Sequence, residues 1–291
     1  MEEELTKLFI FVDDFCNIFE PIWSKKLLTD GVKCRLRKHE LALSELMTIL
    51  IFFHLSGFKC LKKFYFFLRK YHKKEFPKLG SYNRFVELQQ SACVPLFIFF
   101  KCLSGKCDGE SFIDATALPV CHIKREHSHK TFAGIAKKSK STMGWFFGFK
   151  LHLITTKYGH PIDFALTKGN VDDRKVPKSI FSKIFGKLFG DMGYISKQLF
   201  SDLKSKMIHV ITAIKKNMKP QIMTLIDNEK LKKRGIVETT FNVLKNNLNL
   251  QHTRHRSPAN YIVNILGAMC AYCMRFFSDF AMSHKHLEAI A

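Results

Sequence analysis

The clearest periodic pattern in the chain is WFFGFKLHLITT, at residues 145–156. Every odd position from Trp145 to Leu153 is apolar, whereas Lys150 and His152 lie at even positions. An alternation with a period of two is typical of a β-strand that turns one face toward a core. The pattern therefore predicts a strand here, and a strand needs partner strands elsewhere in the chain.

Further strands are predicted on both sides of this segment. A turn at Tyr158-Gly159-His160 joins it to a strand at 161–167, which completes a hairpin. The other predicted strands are 111–120, 188–191 and 208–214, and the predicted helices are 177–185, 196–206 and 232–248. The resulting order, β-β-β-α-β-α-β-α, predicts an α/β domain built on a ribonuclease-H-like mixed sheet.

The first 105 residues have a different, helical pattern. Apolar residues recur at helical spacing from Ser44 to Leu55, and Gly57 is a suitable helix end. A second helix is predicted at 61–71, where bases are interleaved with apolar side chains, and a third begins at Ser81. Short helices and tight turns favour a DNA-binding domain of the helix-turn-helix type; a helical bundle with a solvated basic face is the alternative.

The change of pattern near residue 106 divides the chain into three predicted segments. Residues 1–105 form a helical, DNA-binding domain, residues 106–250 form the ribonuclease-H-like catalytic domain, and residues 251–291 form a C-terminal helical segment. The apolar stretch 261–282 contains Asn264 and Arg275, so it is interpreted as a buried core helix.

The charge is the most unusual feature of the composition. There are 47 Lys and Arg against 25 Asp and Glu, for a formal net charge of +22. Hydrophobic residues make up 46% of the chain, which excludes general disorder and a fibrous protein. A basic surplus of this size indicates a polyanionic partner, either nucleic acid or an anionic membrane.

Several classes of protein are excluded by what the sequence lacks. No apolar run reaches the roughly 18–20 residues that span a bilayer, and the acidic start Met1–Glu4 is not a signal peptide. The nine cysteines are scattered, so a disulfide framework is not expected, and Cys270 and Cys273 are interpreted as core residues. We therefore expect no membrane partner and a cytoplasmic protein.

Three acidic residues have contexts that indicate chemistry. Asp114 lies among apolar residues within the first predicted strand, where an unpaired carboxylate would be costly. Asp191 follows the fourth strand and has glycine at positions 190 and 193. Because the first and fourth strands are neighbours in the predicted sheet, the two carboxylates should lie side by side. At about 100° per residue, Arg234, Glu238 and Lys245 share one face of the last helix.

Three carboxylates placed close together repel each other unless cations offset their charge. Hard oxygen ligands favour Mg²⁺ or Mn²⁺, and two such ions can support phosphoryl transfer. Each acid also has a structural alternative. Asp114 could be an edge-strand or turn residue, Asp191 a helix cap, and Glu238 an i,i+4 partner of Arg234. The joint pattern favours the metal site.

On these residues the sequence resembles the Asp-Asp-Glu (DDE) transposases of bacterial insertion sequences, in the IS4-like superfamily and closest to the IS982 family. The resemblance covers roughly residues 105–275. Its matching segments are 112–122, 145–152, 166–170, 190–194 and the Arg-x3-Glu-x6-Lys signature at 234–245. The Tyr that the family often has three residues before the Arg is Leu231 here. The interval from Lys215 to Leu231 is too short for the inserted domain of some relatives.

The resemblance implies a site and a reaction. Asp114, Asp191 and Glu238 would be the catalytic triad that binds two Mg²⁺ or Mn²⁺ ions, with Arg234 and Lys245 on DNA phosphates. Water would cut the element end, and the freed 3′-OH would attack target DNA. The partners would be double-stranded DNA, as terminal inverted repeats and target, and a second copy of the chain in a homodimer. A ribonuclease-H-like nuclease and a transposase-derived DNA-binding protein without catalysis are the alternatives.

Basic residues near the predicted site indicate where DNA would lie. The segment Lys124–Lys150 has seven bases and one acid, and Lys137, Lys138 and Lys140 are predicted to form a mobile loop over the DNA backbone. The further predicted DNA-binding residues are Lys150, His152, Arg254 and Arg256.

Overall fold

The computed structural model describes residues 2–29, 40–213, 224–251 and 254–276. The chain forms two units, which are named here by their main secondary structure. The helical unit comprises Met1–Leu103, Asn247–Leu250 and His255–Ala291, and the sheet unit comprises Ser104–Asn246 and Gln251–Arg254. The mixed α/β architecture with a mixed sheet agrees with the prediction, whereas the three predicted segments stay a proposal.

The helical unit contains six described α-helices. They are α1 (Glu2–Thr29), α2 (Leu43–Leu55), α3 (Leu61–Tyr71), α4 (Tyr82–Leu88), α5 (Cys93–Leu103) and α9 (Pro258–Cys273). Gly57 follows α2 with a φ of 76°, a conformation that glycine adopts without strain. Ser81 caps α4 and Ser257 caps α9, each accepting a hydrogen bond from a backbone N–H of the first turn.

The core of the helical unit is built on α9. Residues from Asn260 to Cys273 are buried almost without interruption, as expected for a helix that is covered on every face. Cys270 and Cys273 have no exposed surface, in keeping with their interpretation as core residues. Within this apolar setting the Asn260 Nδ2 donates to the Val86 carbonyl at 3.0 Å, whereas the buried Asn260 Oδ1 accepts no hydrogen bond from the described residues.

The expectation that no apolar stretch is long enough to cross a membrane needs correction. The segment Tyr82–Leu103, 22 residues that include α4 and α5, passes that test by length and hydropathy. A turn of 3₁₀-helix at Gln89–Ala92 lies within it, and its apolar side chains Phe85, Leu96 and Phe99 are buried in the helical unit. The core therefore accounts for part of the hydropathy of the segment, while Val94 and Phe97 remain 40% and 43% exposed.

The described part of the sheet unit contains six strands. They are β1 (Glu110–Cys121), β2 (Lys137–Ser141), β3 (Gly144–Thr155), β4 (Pro161–Lys168), β5 (Gly186–Gly190) and β6 (Ile208–Thr212). Their order is β2-β3-β1-β5-β6, and β4 also pairs with β3. Strands β2, β1 and β4 are antiparallel to β3, whereas β5 is parallel to both β1 and β6. The sheet is therefore mixed, with β1 at its centre.

Strand β2 was predicted as a mobile loop, and the structure corrects this. Lys137–Ser141 pairs in antiparallel register with Gly144–Gly148 of β3, while β4 pairs with the remainder of β3 from Phe149 onward. Strand β2 has no apolar alternation because it is an edge strand whose side chains stay exposed, and lysines are common on such edges. Backbone pairing of this kind leaves little trace in a sequence.

The helix predicted at 177–185 is absent from the structure. Between β4 and β5 the chain makes only short 3₁₀ turns, at Asp173–Lys175 and Lys178–Phe181. Only a short segment separates Pro177 from β5. A single helical turn gains too few hydrogen bonds to offset the free-energy cost of helix nucleation. Ile180 and Phe181 still fill the core below the sheet, so this connection covers the sheet without a helix.

Over the described residues, the sheet unit also contains three α-helices: α6 (Lys197–Lys204), α7 (Leu225–Lys232) and α8 (Gly235–Asn242). Ser196 caps α6 as predicted, accepting from the Leu199 N–H at 3.3 Å. The single helix predicted at 232–248 is instead divided: α7 ends before Arg234, and α8 continues into a π-helical turn at Val243–Asn247. Val237 and Phe241 are the buried side of α8, which packs on β1 and β3.

Candidate active site

Strand register places the first two acidic residues side by side. In the parallel pair, Phe112 of β1 lies opposite Phe189 of β5. Two residues further along each strand, the same offset brings Asp114 level with Asp191, which follows the last residue of β5. Asp191 caps the 3₁₀ turn Met192–Tyr194 and accepts the Met192 N–H at 2.7 Å. The predicted neighbourhood of β1 and β5 is therefore present in the fold.

Helix α8 brings the third acid to the same place through Arg234. The Arg234 guanidinium contacts Asp191 at 2.8 Å (Nη1 to Oδ1) and Glu238 at 3.8 Å (Nη2 to Oε1). Asp114 lies within electrostatic range of Arg234, Asp191 and Glu238. The Arg234 guanidinium thus contacts two of the three predicted carboxylates and acts electrostatically on the third, Asp114. The i,i+4 pairing of Arg234 with Glu238, which was the structural alternative for Glu238, is present.

The environment of Asp114 favours the neutral carboxyl group. Burial raises the pKa of Asp114 to about 6, while the Ala115 N–H and the charge of Arg234 favour the anion. The negative charges of Asp191 and Glu238 raise this pKa further. A buried carboxylate with like-charged neighbours is stabilised by any cation that reaches it.

The environment of Asp191 favours the charged carboxylate, in contrast to that of Asp114. Partial burial raises its pKa, but hydrogen bonds from Arg234 and from the Met192 N–H, together with the charge of Arg234, outweigh burial and lower it overall. The two neighbouring acids therefore differ in charge state near pH 5. Pairs of acids whose environments separate their pKa values in this way are typical of catalytic sites.

Lys245 departs from its predicted position. The prediction assumed one regular helix from Arg234 onward, but Lys245 lies in the π-helical turn, whose wider spacing moves it off that line. Its side chain is partly buried, and burial lowers the pKa of its ammonium group. Among the described residues no acid pairs with Lys245, so its charge is available to an outside anion.

Lys150 and His152 lie on the wrong face of the sheet for direct contact with DNA at the acidic cluster. Asp114 is paired with Leu153, whereas His152 is paired with Ala115, and successive strand residues point to opposite faces. His152 is fully buried and contacts the Tyr194 hydroxyl at 3.3 Å and the Thr167 hydroxyl at 3.0 Å. Their prediction as DNA-binding residues is therefore at odds with their positions.

Comparison with known families agrees with this geometry. A family described as "Transposase DDE domain" matches residues 104–258, a little over half of the chain. The chain belongs to the transposase DDE domain family. Searches of curated proteins and of solved structures found no match. Membership supports a DNA transposase function in general and, for a DDE transposase, metal-dependent polynucleotidyl transfer as the class of reaction.

The other predicted DNA contacts of this DDE transposase lie at the surface. Lys137, Lys138 and Lys140 are exposed on β2, and Lys138 forms an ion pair with Glu126 at 3.2 Å. Arg254 and Arg256 are also exposed, in the sheet unit and the helical unit respectively. These five bases can reach a phosphate without a change of fold.

Several polar residues near the site were missed in the sequence. Asp173 accepts from Lys150 Nζ at 3.0 Å, and Lys150 also donates to the Val171 carbonyl at 2.9 Å. Tyr194 is buried, and its hydroxyl contacts His152. The signal that could have indicated them is the acidic pair Asp172-Asp173 in a basic chain, three residues after Gly169. Asp173 and Tyr194 thus contact Lys150 and His152 on the face of the sheet opposite Asp114.

The chemistry of the donor set fits the divalent metal that a DDE transposase uses. Asp114, Asp191 and Glu238 offer only carboxylate oxygens, the ligands that Mg²⁺ and Mn²⁺ prefer. Within the described ranges, however, no three acidic, His or Cys side chains are grouped closely enough to hold an ion as they stand. Arg234 lies among the carboxylates, so a bound metal would require this guanidinium to move.

Proposed function

We propose that the protein is an insertion-sequence transposase that cleaves DNA at the ends of its element and joins the freed 3′-OH to target DNA. The assignment to the IS982 family within the IS4-like superfamily is part of this proposal. The observation that carries it is the cluster of Asp114, Asp191 and Glu238 around Arg234 within a family-matched segment. The strand order β4-β3-β1-β5-β6 supports a ribonuclease-H-like topology.

Each residue of the cluster has a part in the proposed reaction. Asp114, Asp191 and Glu238 would hold two Mg²⁺ or Mn²⁺ ions, which supply activation of the attacking oxygen and stabilisation of the leaving oxygen. Asp114 lies within β1 and Asp191 directly follows β5, whereas Glu238 lies on α8 with a more exposed side chain. Arg234 would exchange its carboxylate partners for a DNA phosphate, and Lys245 would bind a neighbouring phosphate.

Surface charge outside the cluster supports binding of double-stranded DNA. Helix α3 buries Phe64, Tyr65 and Leu68 and exposes the bases on its other side. These exposed bases are Lys62, Lys63, Arg69 and Lys70. We propose that residues 1–105 bind DNA through this helix, that residues 106–250 catalyse, and that residues 251–291 form a C-terminal helical segment.

Assembly and location follow from the chemistry of the proposed reaction. A transposase must hold two element ends at once, so we propose a homodimer on DNA that contains two clusters. Its substrates, the terminal inverted repeats and the target, lie in the bacterial nucleoid, so we propose that the protein acts in the cytoplasm.

A strand-transfer assay tests this function. The substrates are duplexes taken from the DNA that borders the gene, together with plasmid target DNA and Mg²⁺. We expect metal-dependent 3′-OH formation at an inverted repeat, followed by joining to the plasmid. Cleavage without joining, and without a need for inverted repeats, would identify a ribonuclease-H-like nuclease. Tight binding with no metal-dependent product would identify a DNA-binding protein without catalysis.

A further inference from the structure

Asp191 lies just beyond the part of the sheet that strand pairing holds in place. The parallel pairing of β1 with β5 ends at Phe112 and Phe189, two residues before the two acids of the cluster. The pairing of β5 with β6 ends at Gly190. The place of the Asp191 backbone is therefore set by the 3₁₀ turn that follows β5 and by the contacts of that turn.

The turn Met192–Tyr194 is closed by two hydrogen bonds to Asp191. The Asp191 Oδ1 atom accepts the Met192 N–H at 2.7 Å, and the Asp191 carbonyl accepts the Tyr194 N–H at 3.0 Å. A 3₁₀ turn this short has few hydrogen bonds of its own, so its place depends on what its side chains contact. The Met192 amide reports directly on the carboxylate, because it is the amide that the carboxylate binds.

Tyr194, the last residue of the turn, lies in the core of the sheet unit. Its side chain is 2% exposed and belongs to a cluster that includes Ile113 of β1 and Leu188 of β5. A Cβ added to Gly190 would lie 3.4 Å from the Tyr194 ring and 3.0 Å from Ile113. The glycine thus allows the ring to pack closely against the end of β5.

A chain of hydrogen bonds joins the Tyr194 hydroxyl to two further strands. The hydroxyl lies 3.3 Å from Nδ1 of His152 on β3, and Nε2 of His152 lies 3.0 Å from Oγ1 of Thr167 on β4. Either tautomer of a neutral imidazole completes both contacts, because each hydroxyl can donate or accept. His152 has no exposed surface, so the loss of one partner would leave a buried polar atom unpaired.

The other side of the turn lies against Asp173. A Cβ added to Gly193 would lie 3.3 Å from Asp173 Oδ2, so the backbone of the turn is close to this carboxylate. Lys150 of β3 donates to Asp173 Oδ1 at 3.0 Å and to the Val171 carbonyl at 2.9 Å. Two polar side chains of β3 therefore hold the turn, one through Tyr194 and the other through Asp173.

We propose that Tyr194 and its partner His152 are positioning residues, which fix the Asp191 carboxylate at the end of β5. His152 is paired with Ala115, which follows Asp114 on β1, so the hydrogen-bond chain begins next to the first acid of the cluster. Divalent ions need their ligands at fixed distances, and residues that orient the ligands influence metal affinity. The inference rests on the proposed function and adds to it, since it assigns two residues of the opposite face of the sheet to the same site.

The test variants remove the hydrogen-bond chain and keep buried side chains of similar size. Tyr194→Phe deletes only the hydroxyl, and His152→Leu replaces the imidazole by an apolar group. The first control is Tyr65→Phe, because Tyr65 is also fully buried and its hydroxyl donates to the Gly80 carbonyl at 3.0 Å. The second control is Ile208→Val, which lowers the stability of the sheet unit slightly at the start of β6, away from the turn. Circular dichroism verifies that all four variants fold.

Two measurements follow the turn and the metal site without DNA cleavage. Amide hydrogen exchange in EDTA follows the Met192 and Tyr194 amides, and calorimetric titration in the absence of DNA gives the affinity for Mn²⁺. We expect both test variants to exchange these amides about tenfold faster than the wild type and to bind Mn²⁺ about tenfold more weakly. Tyr65→Phe and Ile208→Val should match the wild type in both measurements.

Three outcomes would overturn the proposal. The first is unchanged exchange of the Met192 amide in both test variants. The second is an equal increase of exchange in Ile208→Val, which would indicate a general loss of stability. The third is faster exchange with unchanged Mn²⁺ affinity, because the turn would then not position a metal ligand.

The proposed function is measured separately, by Mg²⁺-dependent cleavage of end duplexes with the wild type. Absence of cleavage, together with faster exchange and weaker Mn²⁺ binding in the test variants, would count against the transposase activity alone. Cleavage by the wild type, together with unchanged exchange in the test variants, would count against the positioning role alone.

Discussion

The two units of the chain treat their ionisable groups in opposite ways. In the helical unit, burial lowers the pKa of the fully buried His54 and of the half-buried His255 to about 4, which favours their neutral forms, and His54 donates from Nδ1 to the Leu248 carbonyl at 2.6 Å. In the sheet unit, Asp114 and Asp191 are only partly buried and lie close to the charge of Arg234. The helical unit thus holds these histidines in a setting that favours the neutral form, whereas the sheet unit holds charged groups close together and partly exposed.

The difference shows what a structural role and a chemical role each require. A buried neutral histidine stabilises a fold as long as it stays uncharged. A group of like charges costs stability, so it is retained where a function needs it. The four predictions below test this contrast, from the largest expected effect to the smallest.

The largest effect should follow from removing one charge of the sheet-unit cluster. Asp114→Asn, Asp191→Asn and Glu238→Gln should each lower strand cleavage about a thousandfold, the upper range for losing one electrostatic contribution to a transition state. Binding of duplex DNA should persist, since the phosphate-binding bases remain. The matched control is Glu229→Gln, an exposed acid on α7, which should keep full activity. Full activity of all three cluster variants would show that these carboxylates have no catalytic role.

Acid should destabilise the helical unit through His54 and His255. Burial lowers the pKa of both His54 and His255 to about 4, against about 6.5 in an unfolded chain. The unfolded state therefore binds protons first as the pH falls. The stabilisation is complete above pH 6.5 and is lost between pH 6.5 and 4, by about 3 kcal/mol per histidine.

Asp114 should act in the opposite direction in the sheet unit. Burial raises its pKa to about 6, above the usual value of 3.8, so its ionisation on raising the pH through 6 disfavours the fold. Hydrogen exchange of the α2 and α9 amides between pH 4 and 7, with β1 amides for comparison, measures both trends. If α2 and α9 exchange with a pH-independent stability, the histidines are not the neutral core groups described above.

Removing the Arg234 guanidinium should increase the affinity of the carboxylate cluster for a divalent metal ion. Arg234→Gln is expected to bind Mn²⁺ about tenfold more tightly in the absence of DNA, because a cation that competes for Asp191 and Glu238 is gone. Calorimetric titration measures this affinity. Arg174→Gln removes a guanidinium paired with Asp172, outside the cluster, and should leave it unchanged. Equal Mn²⁺ affinity of wild type and Arg234→Gln would show that Arg234 does not oppose metal binding.

The smallest effects concern helix caps, with one chosen from each unit. Ser257→Ala removes the cap of α9 and Ser196→Ala the cap of α6, and each should cost about 1 kcal/mol. Thermal unfolding followed by exchange of α9 and α6 amides shows which unit each variant weakens. If both variants weaken both units equally, the two units do not unfold independently.

Much of the sheet unit was predictable because it follows local rules. The alternation at 145–156 identified β3, and Ser196 identified the start of α6. Two of the features predicted incorrectly, β2 and the connection before β5, depend on partners distant in sequence. A lysine-rich edge strand has no apolar pattern, and a short apolar segment packs in a core with or without a helix.

The candidate site shows the same limit. Asp114, Asp191 and Glu238 could be selected from the sequence because acids are scarce in this basic chain and each has a distinctive setting. The place of Arg234 among them could not, since it depends on where α7 ends and α8 begins. His152 was assigned to DNA because it alternates with core residues, but the opposite face of the sheet is also covered and buries it.

Residue order alone was therefore enough to identify an α/β protein with a mixed sheet, a polyanionic partner and three candidate acids. Periodicity, charge and composition depend only on the order and identity of the residues, so they can be read without the tertiary structure. Side-chain neighbours are set by register, strand pairing and helix ends. Only the fold could show that a guanidinium lies among the acids, that Lys150 and His152 lie on the other face, and that Trp145, at the start of the alternation, remains exposed.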